Sequence, residues 1–401
     1  MVWDGGQERP VPVVFTGTRG ELGGMLLRGY LLLVPTIGLY RFWLTTWKRR
    51  FYWSHTEIDG DALEYTGNAI QLLIGFLMAL AIFVPLYGLF FYLSTQSSTA
   101  AVIGYGGVGV LLWFLSGYAV YRARDFRLSR TLWRGIRFDQ AGSAWGYAWR
   151  RFGWSLLVLL TAGLAYPFMA ANLWSYRYRH SWYGDRQFAF AGSWKQLVGP
   201  FYLSYGTVAV ITLIGLVLWG AALGGGQMRP AGFVPLLIAA ALIGCMILRY
   251  HSRELSRMLS SVSLGQARLT VHVSAGALLG QYVLFGFALL GTFIVLGIGG
   301  FVVIGALAAD AFAGGGFDPE IFMSHMRGSF VTLAAIIFGY LLVLGGFSLM
   351  SELFLGLGYW KLVAKGAAIT GIDSLRDVRA RGEDKRLAGE GLADALNVGA
   401  Y

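Results

Sequence analysis

Three histidines stand in similar settings along the chain. His55 lies in WSHTE, His180 in YRHSW and His251 in RYHSR, each followed by Ser or Thr and near basic and aromatic residues. Imidazoles converging from separate segments could hold a metal ion or move a proton. Alternatively, each histidine pins the end of its own basic helix. Metal-binding histidines often sit one helical turn apart. That spacing is absent here, so the helix-end reading is preferred and no metal is expected. Glu57, Asp59 and Asp61 crowd the stretch YWSHTEIDGDALEYTG. Neighbouring carboxylates can do acid–base work. The string IDGDALEY also reads as a tight turn entering a strand, with Gly60 at positive φ, and the turn is the preferred reading.

Charged residues inside apolar runs form a third group, because burying them in lipid is costly. Glu352, Arg28, Arg150 and Arg151 make a candidate polar membrane site, in which Glu352 would pair with one of the arginines. Glu352 precedes Lys361 by nine residues, roughly 13 Å of helix. Snorkelling to the cytoplasmic interface is the competing reading. No phosphate loop, dinucleotide fingerprint, nucleophile elbow or HExxH occurs. No catalytic residue and no cofactor are therefore expected, and the protein is not expected to be an enzyme.

The elements that must position these residues are membrane helices. Of 401 residues, 56% are hydrophobic and only 13% are charged, against about a quarter charged in soluble domains. An ordinary soluble enzyme is excluded. A spanning helix needs about 20 apolar residues, and six runs qualify: 70–94, 101–121, 197–223, 231–249, 278–308 and 329–359. Two further runs, 22–46 and 146–175, are broken by Pro35 and Gly38 and by Gly163 and Pro167. Each is expected to re-enter or, alternatively, to span. The sole cysteine, Cys245, lies in an apolar run, so no intramolecular disulfide is possible. The polar N-terminal segment has no apolar core of a signal peptide, so cleavage is not expected.

Lys and Arg set the sidedness. The linker Arg122–Arg137 alone holds six arginines, whereas Ser94–Ala100 holds no basic residue and Gly224–Gly232 only Arg229. Basic-rich linkers alternate with basic-poor ones, so the six clear helices form three hairpins entered from the cytoplasm, with a cytoplasmic C-terminus. The net charge of +11 then belongs to the membrane surface. Stretches such as TTWKRRFYW and YRYRH read as helices at headgroup level. The expected partners are anionic lipid headgroups of the cytoplasmic leaflet, and no nucleic acid.

The chain also repeats itself. GLYRFWLTTWKRRFYWSHTEIDGDALEYTG (38–67) matches GLAYPFMAANLWSYRYRHSWYGDRQFAFAG (163–192) in order: a Gly-Leu turn, an aromatic and basic helix, a histidine, a Gly-Asp pair and an aromatic-x-Gly. VVFTGTRGELGG (13–24) matches IRFDQAGSAWG (136–146). A weaker third copy covers 249–276 and a degraded fourth 358–373. On this basis His55, His180 and His251 are equivalent positions. The expected organisation is unit 1 at 1–130, unit 2 at 131–250, a degenerate unit 3 at 251–380 and a polar tail at 381–401. The expected fold class is an all-α polytopic membrane protein, its six helices and two broken elements joined by short cytoplasmic β elements.

The strings FTGTRGELGG, GLYRFW and RRFYWSHTEIDGDALEYTG, with the C-terminal GEGLADAL (389–396), resemble the YjgN-like family of bacterial inner-membrane proteins, which is built around a domain of unknown function. The resemblance covers most of the chain. It implies a bacterial inner-membrane location and no activity. Later copies lack the Gly-Asp pair, so that pair makes a poor catalytic candidate. Broken helices at membrane depth within a repeat are a layout that transporters use, and transport or permeation of a small molecule or lipid is the leading functional expectation. The alternative is a non-transporting scaffold or lipid-organising protein.

Overall fold

The computed structural model describes residues 9–223, 233–307, 309–312, 318–326 and 330–381. The expected tail, with its GEGLADAL string, lies outside the described residues except for Arg381. Among these residues eleven short strands form one sheet: β1 (Val11–Phe15), β2 (Thr56–Ile58), β3 (Asp61–Ala62), β4 (Glu64–Tyr65), β5 (Thr131–Trp133), β6 (Ile136–Gln140), β7 (Ser181–Tyr183), β8 (Arg186–Phe190), β9 (Val262–Leu264), β10 (Ala267–Val271) and β11 (Ala367–Thr370). Their order is β3-β2-β1-β11-β10-β9-β8-β7-β6-β5-β4, and all pairs are antiparallel. Each strand thus lies beside its neighbours in sequence, and the last pairs with the first. The two ends of the order, β3 and β4, are one segment interrupted only at Leu63. Its first part pairs with β2 and its second with β5. The result is a nearly closed, barrel-like ring, which removes the exposed edges that invite aggregation.

Two kinds of connection alternate around this ring. The first is a two-residue turn. Asp59-Gly60 (φ 54 and 80) and Arg134-Gly135 (φ 51 and 71) both carry two left-handed residues, and Gly184 (φ 54) and Gly265 (φ 60) open the other two turns. Such backbones match the twist of a hairpin. The second kind is helical. The chain passes from β1 to β2 through α1 (Arg19–Leu33) and α2 (Arg41–Ser54), and from β4 to β5 through α3 (Ala69–Ser94) and α4 (Ser98–Ser129). It passes from β6 to β7 through α5 (Ala144–Leu160) and α6 (Tyr166–Arg179), and from β8 to β9 through α7 (Trp194–Leu223) and α8 (Val234–Leu259). From β10 to β11 it runs through α9 (Ala275–Leu307), α10 (Pro319–Met326), α11 (Phe330–Met350) and α12 (Leu357–Lys365). Antiparallel order puts every tight turn at one end of the strands and every helical departure and return at the other.

Inside the ring, Trp133, Tyr183, Leu264 and Ala267 form one buried core with Ile372, Leu375 and Val378 from the segment after β11. Asp185 ties that segment down. Its amide donates to the Arg379 carbonyl at 3.0 Å, and its carboxylate accepts from the Arg379 amide at 3.1 Å. Gly184 is required at the same crossing, because a Cβ there would stand 2.3 Å from the Arg379 carbonyl oxygen.

The ring overturns the expectation of an all-α protein with separate short β elements. Each strand is at most five residues long, and apolar helices separate most of the partners. In sequence the strands look local, while their hydrogen bonds close a single sheet. Among the described residues, six helices are long and apolar enough to cross a membrane: Ala69–Ser94, Ser98–Ser129, Trp194–Ala222, Val234–Leu259, Ala275–Val303 and Leu333–Lys365. None of α1, α2, α5 or α6 is among them. The α5–α6 segment breaks at Ala162 (φ 49) and Gly163 (φ 96). Its two ends meet where the Ala141 amide donates to the His180 carbonyl at 2.7 Å, so it returns to the side it left. The chain leaving β1 is likewise back beside it where the Thr16 amide donates to the His55 carbonyl at 3.0 Å.

The chain divides into two compact units. The first comprises residues up to Gly17, Leu39–Gly276 and the chain from Leu362. The second comprises Thr18–Gly38 and Ala277–Lys361. In the second, a capping box between Thr18 and Glu21 starts α1, satisfying two otherwise unpaired amides. Leu22 and Leu26 of α1 are fully buried, and Tyr30 Oη lies 2.9 Å from Ser348 Oγ. Between α11 and α12 the helix widens into a π turn, Ser351–Gly356.

Candidate functional site

The ring's helix-bearing end is built from recurring joints. Where strand passes into helix, three joints carry aromatic-x-Gly: Phe15/Gly17, Tyr65/Gly67 and Phe190/Gly192. In each the aromatic side chain folds back over the glycine, and a Cβ there would stand 2.7 Å from Phe15 Cζ, 2.3 Å from Tyr65 Oη or 2.4 Å from Phe190 Cζ. At the first two a polar residue follows and caps the helix, Thr18 and Asn68 accepting from the amides of Glu21 and Ile70, and at the β6–α5 joint, which lacks the aromatic, Ser143 accepts from the amide of Gly146, as N-caps do. Where helix passes into strand, Thr56, Thr131, Ser181 and Ser261 each donate to the carbonyl four residues back, at 2.7, 2.8, 2.8 and 2.8 Å.

The histidines belong to this framework. His55 Nδ1 lies 2.8 Å from the Phe51 carbonyl and its ring 4.3 Å from that of Phe51. His180 repeats this on Tyr176, at 2.7 and 4.3 Å. Each imidazole closes the end of its own helix. His251 stands elsewhere, exposed in the body of α8. Aligning the β7–β8 register (Tyr183↔Arg186) with that of β9–β10 (Leu264↔Ala267) puts Ser261 where His180 stands. Among the described residues no group of three or more His, Cys, Asp or Glu could hold a metal. The carboxylates of the first turn are engaged as well. Asp59 and Asp61 hold Arg134 at 2.7 and 2.5 Å across the ring's seam, and hydrogen bonding to Asp61, with Asp59, raises the guanidinium pKa.

The four residues of the candidate polar membrane site fall in two units. In one, Arg28 is exposed on α1, while Glu352 is 8% exposed within the π turn. The arginine at that turn is Arg19, which sequence reasoning passed over. Its Nε donates to the Leu353 carbonyl at 3.3 Å, its Nη2 to Gln281 Oε1 at 3.0 Å, and its guanidinium lies 4.8 Å from the Phe354 ring. The T-x-x-E capping string beside it was the available signal. In the other unit, Arg150 is exposed on α5 over the Tyr176 ring at 5.0 Å, and Arg151 is half-buried.

Two grooves open at the joints. One, of about 280 Å³, lies between Tyr118, Arg122 and Asp125 on α4 and Gly142–Trp145 at the start of α5. The other, of about 490 Å³, lies between Arg249, Arg253 and Arg257 on α8 and His272–Ala275 at the start of α9. The strand registers make them equivalent: Trp133↔Ile136 corresponds to Leu264↔Ala267. With that correspondence Arg122 matches Arg253, Asp125 matches Ser256, and Ser143 matches Ser274. In the smaller groove Arg122 and Asp125 pair at 2.8 Å. In the larger, Ser256 Oγ accepts from the Val273 amide at 3.0 Å and donates to the Ser252 carbonyl at 2.8 Å. Ser252 Oγ donates to the Val273 carbonyl at 2.6 Å. These hydroxyls fasten the strand end to α8. Three arginines at i, i+4 and i+8 with serines between them were the sequence signal for this face.

The bacterial family described as being of unknown function (DUF898) matches residues 10–395. The chain belongs to that family, to which the YjgN-like resemblance also points. No curated protein and no solved structure matches. With its six apolar helices, the chain is a membrane protein of a family whose description assigns no activity.

Proposed function

We propose that this family member is a multi-pass protein of the bacterial inner membrane that gathers anionic lipids around a β ring on the cytoplasmic side. In this reading it carries out no reaction and moves no solute, and its C-terminus is cytoplasmic. The observation that supports it lies at the α5–α6–α7 joints. Arg150, Arg177 and Lys195 lie over the rings of Tyr176, Trp174 and Trp194 at 5.0, 4.8 and 5.9 Å, and among the described residues none of the three has a carboxylate partner. Cations braced on aromatic faces beside the membrane spans suit lipid phosphates, and the antiparallel ring brings the helical connections together at one end. The basic-rich linkers assign that end to the cytoplasm. Native mass spectrometry of the protein released from bacterial membranes in mild detergent tests the reading. Retention of phosphatidylglycerol in preference to phosphatidylethanolamine is expected, and equal retention would overturn it.

A second reading, transport of a small molecule or lipid, draws on one feature: a buried carboxylate, Glu352, in a π turn of an apolar helix. Such turns recur at functional sites. Liposome flux that Glu352→Gln leaves unchanged would remove that residue from any transport mechanism.

A further inference from the structure

We propose that the larger groove, between α8 and the start of α9, is a binding site for a phosphate group. The proposal deepens the lipid-binding reading and rests on it only for the source of the phosphate, which is a headgroup rather than the free anion.

The argument starts from the two equivalent grooves. In the smaller one the chain supplies its own counter-ion, since Asp125 Oδ2 lies 2.8 Å from Arg122 Nη1. In the larger one the matching acid is replaced by Ser256, whose hydroxyl is spent on the Val273 amide and the Ser252 carbonyl. The carboxylate of this stretch, Glu254, takes the Tyr166 hydroxyl at 3.3 Å and the Trp174 indole N–H at 3.2 Å, and it does not line the groove. Arg257 donates to the Gln196 carbonyl. Arg249 and Arg253 are left lining the cavity with no hydrogen-bond or ion-pair partner among the described residues.

Arg249 and Arg253 are four residues apart, so they project from one face of α8, about 6 Å apart along its axis. His272 and Ser274 line the opposite wall, and Ala275 opens α9, where the first backbone amides have no helical acceptor. Two guanidiniums, two further groups able to donate and a helix start line the groove, with no carboxylate among them. A tetrahedral anion with acceptors on every side fits it, and Arg–phosphate pairs are often bidentate. The cavity of about 490 Å³ holds a phosphate with room for the group esterified to it. The smaller groove, neutralised by Asp125, serves as the internal contrast.

The full-length protein in detergent tests the site in two arms. One arm adds phosphatidylglycerol and counts bound lipid by native mass spectrometry. The other adds inorganic phosphate and follows its phosphorus resonance for broadening. Ser256→Asp restores the acid of the smaller groove and Arg253→Gln removes a donor, while Arg376→Gln removes an exposed surface charge as a control. Each groove variant is expected to weaken binding about tenfold, the equivalent of one lost charge-assisted hydrogen bond, with the control unchanged. Thermal melts identify a variant that fails to fold, and Arg253→Gln spares the serine hydrogen bonds. Effects confined to the lipid arm identify a headgroup site, and effects in both arms a general phosphate site. If both groove variants bind like the parent protein while lipid is retained, the groove assignment falls and the lipid reading stands. If the parent protein binds neither probe, both fall.

Discussion

The phenyl ring of Phe190 folds back over Gly192, so close that a Cβ at Gly192 would stand 2.4 Å from Phe190 Cζ. Phe190 is itself buried against Leu197, Met258 and Val262, so the ring cannot swing aside freely. Gly192→Ala is expected to destabilise the protein by about 1–3 kcal/mol, the usual cost of overpacking. In a Phe190→Leu background the same change should cost much less. A double-mutant cycle on thermal unfolding in detergent measures this coupling. Additive effects would show that the glycine serves backbone conformation instead.

The ring topology sets sidedness. All tight turns lie at one end of the strands, so residues there should share a single aqueous compartment. With Cys245 replaced by Ser, a cysteine at Ala62 or Gln266 is expected to react with an impermeant maleimide only in inverted vesicles. A cysteine at Gln96, between α3 and α4, should react only from the periplasm. The three sites are exposed, so a failure to label would not arise from burial. Labelling of Ala62 and Gln266 from opposite sides would contradict a ring on one face of the membrane.

How much of this was legible depends on the range of the interaction concerned. The six spans could be read because hydrophobicity is a local property. Aromatic-x-Gly and Asp59-Gly60 could be read as joint and turn because the steric reason lies within two residues. The ring could not. Its closure rests on Val11 meeting Ile369, and no local pattern carries such a register. The Arg134-Gly135 turn completes the same design as Asp59-Gly60, but its residues do not look alike and it escaped notice. His251 misled because R-Y-H-S resembles R-Y-R-H-S, while the strand registers give that place to Ser261. The basic groove was hidden for a related reason. Arg249, Arg253 and Arg257 fell within a linker whose charge was read only for sidedness, and their helical spacing was not used.

Tyr183 links the ring core to pH. Burial pushes its phenol from 10.0 to about 12, and its hydroxyl donates to the Trp133 carbonyl at 2.9 Å. The neutral form is favoured in the folded state. The resulting stability is complete below pH 10 and is lost as pH rises from 10 towards 12, where the unfolded chain ionises first. Tyr183→Phe should lower stability at neutral pH, through the lost hydrogen bond, by about 1 kcal/mol. It should also flatten the decline above pH 10. Unfolding midpoints measured from pH 8 to 11.5 on both proteins test the sign. A steeper alkaline decline in the phenylalanine variant would show that other groups control it.

Helix packing offers a sharper contrast, because two glycines of α4 face different surroundings. At Gly117 a Cβ would stand 3.0 Å from Ala148 Cα, so α4 and α5 approach through a backbone contact that no side chain can relieve. At Gly109 a Cβ would meet nothing within 4 Å. Membrane helices gain their packing energy from such close approaches rather than from water exclusion. Gly117→Leu must therefore separate α4 from α5, which also carries Arg150 and the aromatic cluster of Trp145 and Trp149 on Phe114. A loss of several kcal/mol is expected, on the scale of severe overpacking, with a changed tryptophan emission as that cluster opens. Gly109→Leu should leave both stability and emission close to the parent protein, since its side chain enters open space. Equal effects of the two substitutions would mean that glycine acts in α4 through helix propensity alone, and that the α4–α5 contact does not hold the two helices together.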